Sequence, residues 1–336
     1  MRWFALMLLA PITNFPHDAR WSILLLMMHA AETLQQSCLV VAQGRRHNGY
    51  APSPQLSVKC MFNGRAVYRA ERACFAVDET GYLILNDRQP YEIQINSPTR
   101  VESFIIYFPR GWSQEVLRGL ATPQDKLLDD PVGQEGPVHF FERFSNHDDV
   151  VSPQLAALRQ AHKKGPLPDL VVEETLRDLL ARMLQAQRET FREIDHLTAL
   201  RVSTRKELWR RLNRARDFIR ARFDTPLTLS QMSAIACLSP FHFLRAFKAA
   251  FRCTPHELVA ACRIERAKFL LECTEMPVTQ ICLDVGFESL GTFSSWFRRL
   301  VGVSPREWRG KKAGLKKYSK APFRYFLHHE GRQLEF

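Results

Sequence analysis

Eight cysteines stand singly, at 38, 60, 74, 237, 253, 262, 273 and 282, and none forms a Cys-x-x-Cys pair. That spacing argues against a structural zinc site and for reduced, separate thiols. Long apolar runs are also missing. The N-terminal runs MRWFALMLLA and WSILLLMMHAA are both shorter than the ~18 to 20 residues of a membrane span. No small-x-small cleavage site follows them cleanly, so residues 1–31 are expected to be strand or helix packed on the first domain, or an over-extended start. Histidine is absent from Leu56 to Phe108, which argues against a metal centre built on that stretch.

What is present is positive charge, unevenly placed. The 336 residues carry a formal net charge of +12. From Arg201 to Phe336 there are 26 Lys and Arg against 12 Asp and Glu, while the first 200 residues hold 21 against 23. A length of this size suggests two domains, and the charge says that the second has a polyanion as partner, with duplex DNA the commonest.

The first part reads as β-rich. Short apolar or alternating runs occupy Leu56–Phe62, Tyr82–Leu85, Tyr91–Ile95 and Val101–Phe108. Asn63-Gly64 is a hairpin signal, and Asn86-Asp87 and Ser97-Pro98 punctuate the later runs. An antiparallel sandwich or small barrel follows, with a mouth able to hold a small ligand. Tyr82, Tyr91, Phe104 and Tyr107 either line that pocket or fill the core. From Asp169 to Phe191 the spacing predicts a helix whose stripe (Val172, Leu176, Leu179, Leu180, Met183, Leu184) packs on the barrel or pairs with a second subunit. Residues 193–203 are assigned to a linker, after a first domain of 1–192.

The second domain, 204–310, contains one motif twice. LTLSQMSAIACLSPFHFLRAFKAAFRCTP runs from Leu227 to Pro255, and PVTQICLDVGFESLGTFSSWFRRLVGVSP from Pro277 to Pro305. Phe243 matches Phe293, Phe247 matches Phe297 and Lys248 matches Arg298, while Met232 matches Ile281 at an offset one shorter, because copy two has one extra turn residue. Thr204 and Glu207 form a capping-box pattern ahead of the stripe Leu208, Leu212, Phe218, Ile219 and Phe223, with Arg210, Arg211, Arg214 and Arg216 on the other face bordering DNA. Thr228 caps the next helix, and Ser239 with Pro240 opens the one after it. There Phe243, Phe247, Ala250 and Phe251 face inward, and Phe241, Arg245, Lys248 and Arg252 outward. In copy two Ser289 is the cap. Phe293, Phe297 and Val301 face inward, and Gly291, Thr292, Ser295, Arg298 and Arg299 outward. His256–Leu271 is expected to be one connecting helix, burying Leu258, Ile264, Ala267 and Leu271. The DNA-facing candidates are Ser239, Phe241, His242, Leu244, Arg245 and Lys248 in the first head, and Ser289, Leu290, Gly291, Thr292, Ser295, Arg298 and Arg299 in the second. Residues 311–336 form a basic tail containing Lys311, Lys312, Lys316, Lys317, Lys320 and Arg324.

LSPFHFLRAFK, TPHELV, RIERAKFLL, VGFESLGTFSSWFRR and GVSPREW, in that order between Leu208 and Arg309, resemble the DNA-binding domain of the AraC/XylS transcriptional regulators. The β-rich stretch YLILNDRQPYEIQINSPTRVESFIIYF resembles the sensory region of some members. The resemblance implies an α+β chain: an N-terminal antiparallel, cupin-like β-barrel with a helical linker, then an all-α domain of two helix-turn-helix units joined by a long helix. It further implies a cytoplasmic activator that binds double-stranded DNA, contacts RNA polymerase, responds to a small-molecule effector and can form a homodimer. No cofactor, metal, catalytic residue or membrane contact is expected. Two positions depart from the family pattern. Cys237 stands where a turn glycine is common, and Gly291 and Ser295 make a short-reaching second reading face. Two rival readings remain, each with a missing part. A cupin-like metalloenzyme lacks strand histidines, with His139 and His147 lying beyond the barrel region. An alkylation-repair methyltransferase fused to a DNA-binding domain needs four clustered cysteines, and only Cys38, Cys60 and Cys74 precede the linker.

Overall fold

The computed structural model describes residues 38–51, 55–70, 73–121, 138–195 and 202–315. The expectations for residues 1–31, and for Lys316, Lys317, Lys320 and Arg324, lie outside the described residues.

Seven antiparallel strands form one sheet: β1 (Cys38–Ala51), β2 (Ser57–Phe62), β3 (Ala66–Ala70), β4 (Ala73–Val77), β5 (Gly81–Leu85), β6 (Tyr91–Tyr107) and β7 (Phe144–Asn146). The long strand β6 is its spine. Along one edge it pairs with β1, from Cys38↔Tyr107 to Ala51↔Tyr91. Along the other it pairs first with β2 (Ser57↔Tyr107) and then with β3 (Arg69↔Glu92). β5 and then β7 extend the sheet from β2, and β4 extends it from β3.

Two turn signals behave differently from expectation. Ser97-Pro98 does not separate two strands, because β6 runs through it. The β1 register jumps there from Gly44↔Val101 to Arg46↔Asn96, so residues 97–100 bulge out of that ladder. A proline, having no N–H to donate, loses nothing in a bulge. Asn63-Gly64 is likewise not a hairpin turn. β2 and β3 lie end to end on β6, and Asn63 (φ +61°) and Gly64 (φ +156°) bend the chain between them. A side chain at Gly64 would press its Cβ to 2.7 Å from Val101 Cγ2.

These bends fold the sheet onto itself. Val40, Met61, Tyr68, Phe75, Leu83, Tyr91, Ile95, Ile105, Tyr107 and Phe144, drawn from every strand, share one buried interior, so the expected barrel is lined mainly by apolar and aromatic side chains. Alternation sends Val58, Cys60, Tyr82, Ile84, Phe104 and Ile106 to the outer face, where they meet α2 (Ser152–Lys164) and α3 (Asp169–Asp195). Leu176, Leu179, Leu180, Met183 and Leu184 are buried in that second core, so the α3 stripe is intradomain packing rather than a subunit contact. Of the four aromatics proposed for a pocket, Tyr91 and Tyr107 point inward, whereas Tyr82 and Phe104 lie under the helices. A further helix, α1 (Trp112–Ala121), places Trp112, Val116 and Leu117 on the same outer core.

Six helices and a short tailpiece follow: α4 (Val202–Arg222), α5 (Leu229–Ile235), α6 (Pro240–Phe251), α7 (Pro255–Cys273), α8 (Val278–Asp284), α9 (Leu290–Val301) and α10 (Pro305–Leu315). Lys311 and Lys312, assigned to the tail, fall within α10. α4 already opens at Val202, so Thr204 sits inside it and Glu207 pairs with Arg211 at 2.8 Å instead of capping. The capping boxes lie elsewhere. Thr228 and Gln231 open α5, Thr254 and Glu257 open α7, and Ser304 and Glu307 open α10. The chain divides into two compact units, up to Val259 and from Ala260, with α7 crossing the boundary. α7 is one unbroken helix as expected, with Ile264, Ala267 and Leu271 buried but Leu258 only half-buried. No helix among the described residues is long and apolar enough to cross a membrane.

Candidate nucleic-acid interface

In the first unit α5 and α6 form the helix-turn-helix. Between them Cys237 takes φ +51°, its N–H bonding Ala234 O at 3.0 Å while Leu238 N–H reaches Ser233 O at 3.1 Å. In the second unit α8 and α9 repeat this with Gly286 at φ +93°, bonding Leu283 O, and Phe287 bonding Cys282 O. The matching bonds place copy two's extra residue at Glu288, after the left-handed turn and before the cap. Cys237 therefore follows the same turn path as Gly286 in copy two, with cysteine held in a conformation suited to glycine.

Ser239 Oγ accepts from His242 N–H at 3.4 Å and opens α6, and Ser289 Oγ accepts from Thr292 N–H at 3.1 Å and opens α9. Phe243 and Phe247 on α6, and Phe293 and Phe297 on α9, are fully buried, each pair edge-on at 5.3 and 5.7 Å between centroids. Phe251 adds a third ring to the first stack, 4.7 Å from Phe247. These rings fix which side of each helix faces out. On α6 the outer side presents Phe241 (77 % exposed), His242, Arg245 and Lys248, while Leu244 is half-buried. On α9 it presents Leu290, Gly291, Thr292, Ser295, Arg298 and Arg299. Neither helix contains an acidic residue. Among the described residues Arg245, Lys248, Arg298 and Arg299 enter no ion pair, and only Arg245 and Arg299 touch a ring, those of Phe241 and Trp296. Each cation is thus available to an incoming phosphate or base edge.

The arginines of α4 divide differently from expectation. Arg210 is exposed, 6.0 Å from the Phe141 ring, and Arg211 is held by Glu207. Arg216 is turned to the sheet instead. Its Nη2 donates to Phe144 O at 2.6 Å, while Asp217 Oδ2 accepts from Phe144 N–H at 3.2 Å. One turn on, Arg220 donates to Thr80 Oγ1 at 2.9 Å and lies 4.0 Å over the Phe144 ring, and Asp224 pairs with Arg65 at 3.3 Å. α4 is therefore fastened to β7 and to the turn before β5. Burial pushes the Asp217 carboxyl up to about 6, against the pull of Arg216 and the Phe144 N–H. Sequence reasoning missed this contact because an Arg-rich helix reads as solvated wherever its partner is distant in the chain.

Features of the rival readings are placed too. His147 is engaged in a turn, bonding Ser152 Oγ at 2.9 Å and Glu79 O at 3.0 Å. Cys60 lies in the outer core, where burial pushes its thiol up to about 12, the opposite of a reactive thiolate. Among the described residues no group of three His, Cys, Asp or Glu side chains is placed to hold a metal.

Residues 232–311 match the family model of a helix-turn-helix domain. The chain is 26% identical over 155 residues to the probable transcriptional regulator LumQ of Photobacterium leiognathi, covering 46% of this chain and 56% of that protein. It is 33% identical over 104 residues to the HTH-type transcriptional regulator ArgR of Pseudomonas aeruginosa, covering 31% of this chain and 32% of that one. The chain thus spans little more than half of the one relative and a third of the other. Among solved structures, a transcriptional regulator with an AraC-type DNA-binding domain from Chromobacterium violaceum is 30% identical, covers 31% of this chain and 92% of that one, and has a TM-score of 0.29.

Proposed function

We infer, from a C-terminal AraC-type helix-turn-helix domain preceded by a folded β-sheet domain, that this chain is a sequence-specific transcriptional regulator that binds double-stranded DNA and responds to a small molecule. One observation carries the reading. α6 and α9 are each capped by a serine, seated by buried phenylalanines, and left with an acid-free outer face of unpaired cations. A helix of that kind fits a major groove, and two of them address successive grooves about 34 Å apart on one DNA face.

The heads divide the work. Arg245 addresses a guanine edge, and Phe241 and Leu244 meet thymine methyls. His242, Lys248 and the Ser239 end of α6 lie against the backbone. Arg298, Arg299 and Thr292 grip phosphates, flanked by Ser289, Leu290 and Ser295, since Gly291 has no side chain to read with. Effector binding in the barrel biases the arrangement of sensory and DNA-binding parts, and so how two copies share adjacent sites or touch RNA polymerase. In this reading the protein acts in the cytoplasm as an activator and catalyses nothing itself.

Binding assays over cognate and scrambled DNA test the division. Arg245→Ala is expected to cost about 1–3 kcal/mol of discrimination, whereas Arg298→Ala weakens both DNAs alike and lowers the logarithmic salt slope by about 0.9. Equal loss of discrimination in both variants defeats the asymmetry, and the absence of salt-sensitive retention on any promoter fragment defeats the reading as a whole.

A further inference from the structure

The inner face of β2 carries a lysine where a barrel core calls for hydrocarbon. Lys59 is 0 % exposed. Its Nζ donates to Tyr91 Oη at 2.9 Å and to Tyr107 Oη at 3.0 Å, and sits 4.8 and 4.2 Å from the centres of those rings. The two phenol oxygens are 3.4 Å apart, because folding of the sheet brings both ends of β6 together. An ammonium has three donors, and the third has no partner among the described residues. Nor does any carboxylate there pair with it, and burial alone pushes its pKa well below the ordinary lysine value.

Two more hydroxyls belong to the same interior. Ser57 is two residues before Lys59 on the same face, and Tyr68 lies with its ring 5.5 Å from that of Tyr91. Both are fully buried, and among the described residues neither Ser57 Oγ nor Tyr68 Oη has a hydrogen-bond partner. A close-packed core rarely leaves such groups unsatisfied, and a buried cation without a counter-charge is costly. The unmet groups are an N–H and two hydroxyls that can each donate, with a single positive charge. Around them the interior is apolar, with Phe75, Leu85 and Ile93.

We propose that the barrel interior binds a small apolar monocarboxylate, seated on Lys59 Nζ with the Tyr68 and Ser57 hydroxyls as further donors, and that this acid is the effector. The last step rests on the ligand-responsive reading above, whereas the binding site does not. One cation matches one negative charge, so a phosphate dianion would remain half neutralised. The apolar lining suits an alkyl or aryl body over a sugar.

The full chain is to be titrated with hexanoate and 3-phenylpropionate, and with hexanamide and 3-phenylpropionamide as neutral isosteres, following thermal melting and calorimetric binding. At least one acid is expected to bind and raise the melting temperature, with its amide inert at the same concentration. Lys59→Met should weaken that acid about tenfold or more, the scale of a charged hydrogen bond. Tyr68→Phe deletes only an unpartnered hydroxyl, leaves the fold's packing intact and should weaken it by a smaller factor. Binding of neither acid, an amide binding as well as its acid, or full affinity in a folded Lys59→Met or in Tyr68→Phe overturns the proposal. Promoter retention by the unliganded chain is a separate readout. Its loss would sink the regulator reading and leave carboxylate binding standing.

Discussion

Cys237 and Arg252 both hold left-handed backbone, at φ +51° and +57°, where the second copy has Gly286 at +93° and Gly302 at +85°. A side chain costs about 1–2 kcal/mol in that region, so the first helix-turn-helix carries strain that the second avoids. Cys237→Gly is expected to raise stability by about 0.5–1 kcal/mol in chemical denaturation, and a loss would show that the thiol contributes packing. Gly291 is the converse. It lies inside α9 with helical backbone, and an added Cβ there meets nothing within 4 Å. Gly291→Ala should stabilise the domain by about 0.5–1 kcal/mol without a clash. Asp217 gives a dependence on pH. Its folded pKa of about 6 exceeds the ordinary aspartate value of 3.8, so between the two the folded chain holds a proton that the unfolded chain has released. The group is therefore neutral in its effect below about pH 4, and stability is lost as pH rises from there through about 6. The cost at neutral pH is about 3 kcal/mol. Asp217→Asn should remove this loss, so that the difference in melting temperature between variant and unaltered chain grows across that window. A constant difference would mean that the carboxyl titrates normally. Of Cys237, Gly291 and Asp217, the sequence marked the first two as departures from the family pattern. It gave no sign of Asp217, whose state depends on strand β7, more than seventy residues earlier.

Helices that bury one face were legible from their periodicity. α6 and α9 show their phenylalanines at the expected positions, and their serine caps stand where the Ser-Pro and Ser-Leu starts put them. α4 was harder, because it is buried on two sides. Leu212 and Ile219 of the expected stripe are buried, but Trp209, Asn213, Ala215, Asp217 and Ala221 are buried as well, around much of the circumference. A stripe rule finds one buried side and overlooks both Trp209, which packs on Phe251 of α6, and Asp217, which is turned to the sheet. The strands show the same limit. Alternation located β2, β5 and β6 closely, yet a turn signal says only that the chain bends, not whether it reverses, and both Asn63-Gly64 and Ser97-Pro98 bend without reversing. The caps allow a graded test. Ser239→Ala and Ser289→Ala should each cost about 1 kcal/mol of stability. Ser289→Ala is expected to cost more, since its bond to Thr292 N–H is shorter and its hydroxyl also donates to Thr292 Oγ1 at 2.9 Å. The reverse order would mean that the Ser239 cap is tighter than its 3.4 Å separation implies.

On the scale of the whole chain, the split in charge foretold the division of labour. The sheet-bearing part is nearly neutral, and among the described residues Arg245, Lys248, Arg298 and Arg299 on α6 and α9 enter no ion pair. What composition did not reveal is that some of the C-terminal arginines are spent inside the protein, Arg216 and Arg220 on β7 and its neighbours. Loosening this attachment has a measurable form. Arg220→Ala removes the bond to Thr80 and the stacking on Phe144, and amide hydrogen exchange in 144–146 and in α4 should quicken together. Faster exchange in only one of the two would show that they are not joined through this residue.

β7 is only three residues long, and β5 satisfies just one of its margins. Phe144 gives its amide and carbonyl to Asp217 and Arg216, so two side chains of a helix stand in for the next strand. Detached from α4, that margin is a bare template of the kind that recruits strands from other molecules. A fragment ending at Asp195 should accordingly gather into oligomers as its concentration rises, while the intact chain keeps its rim closed.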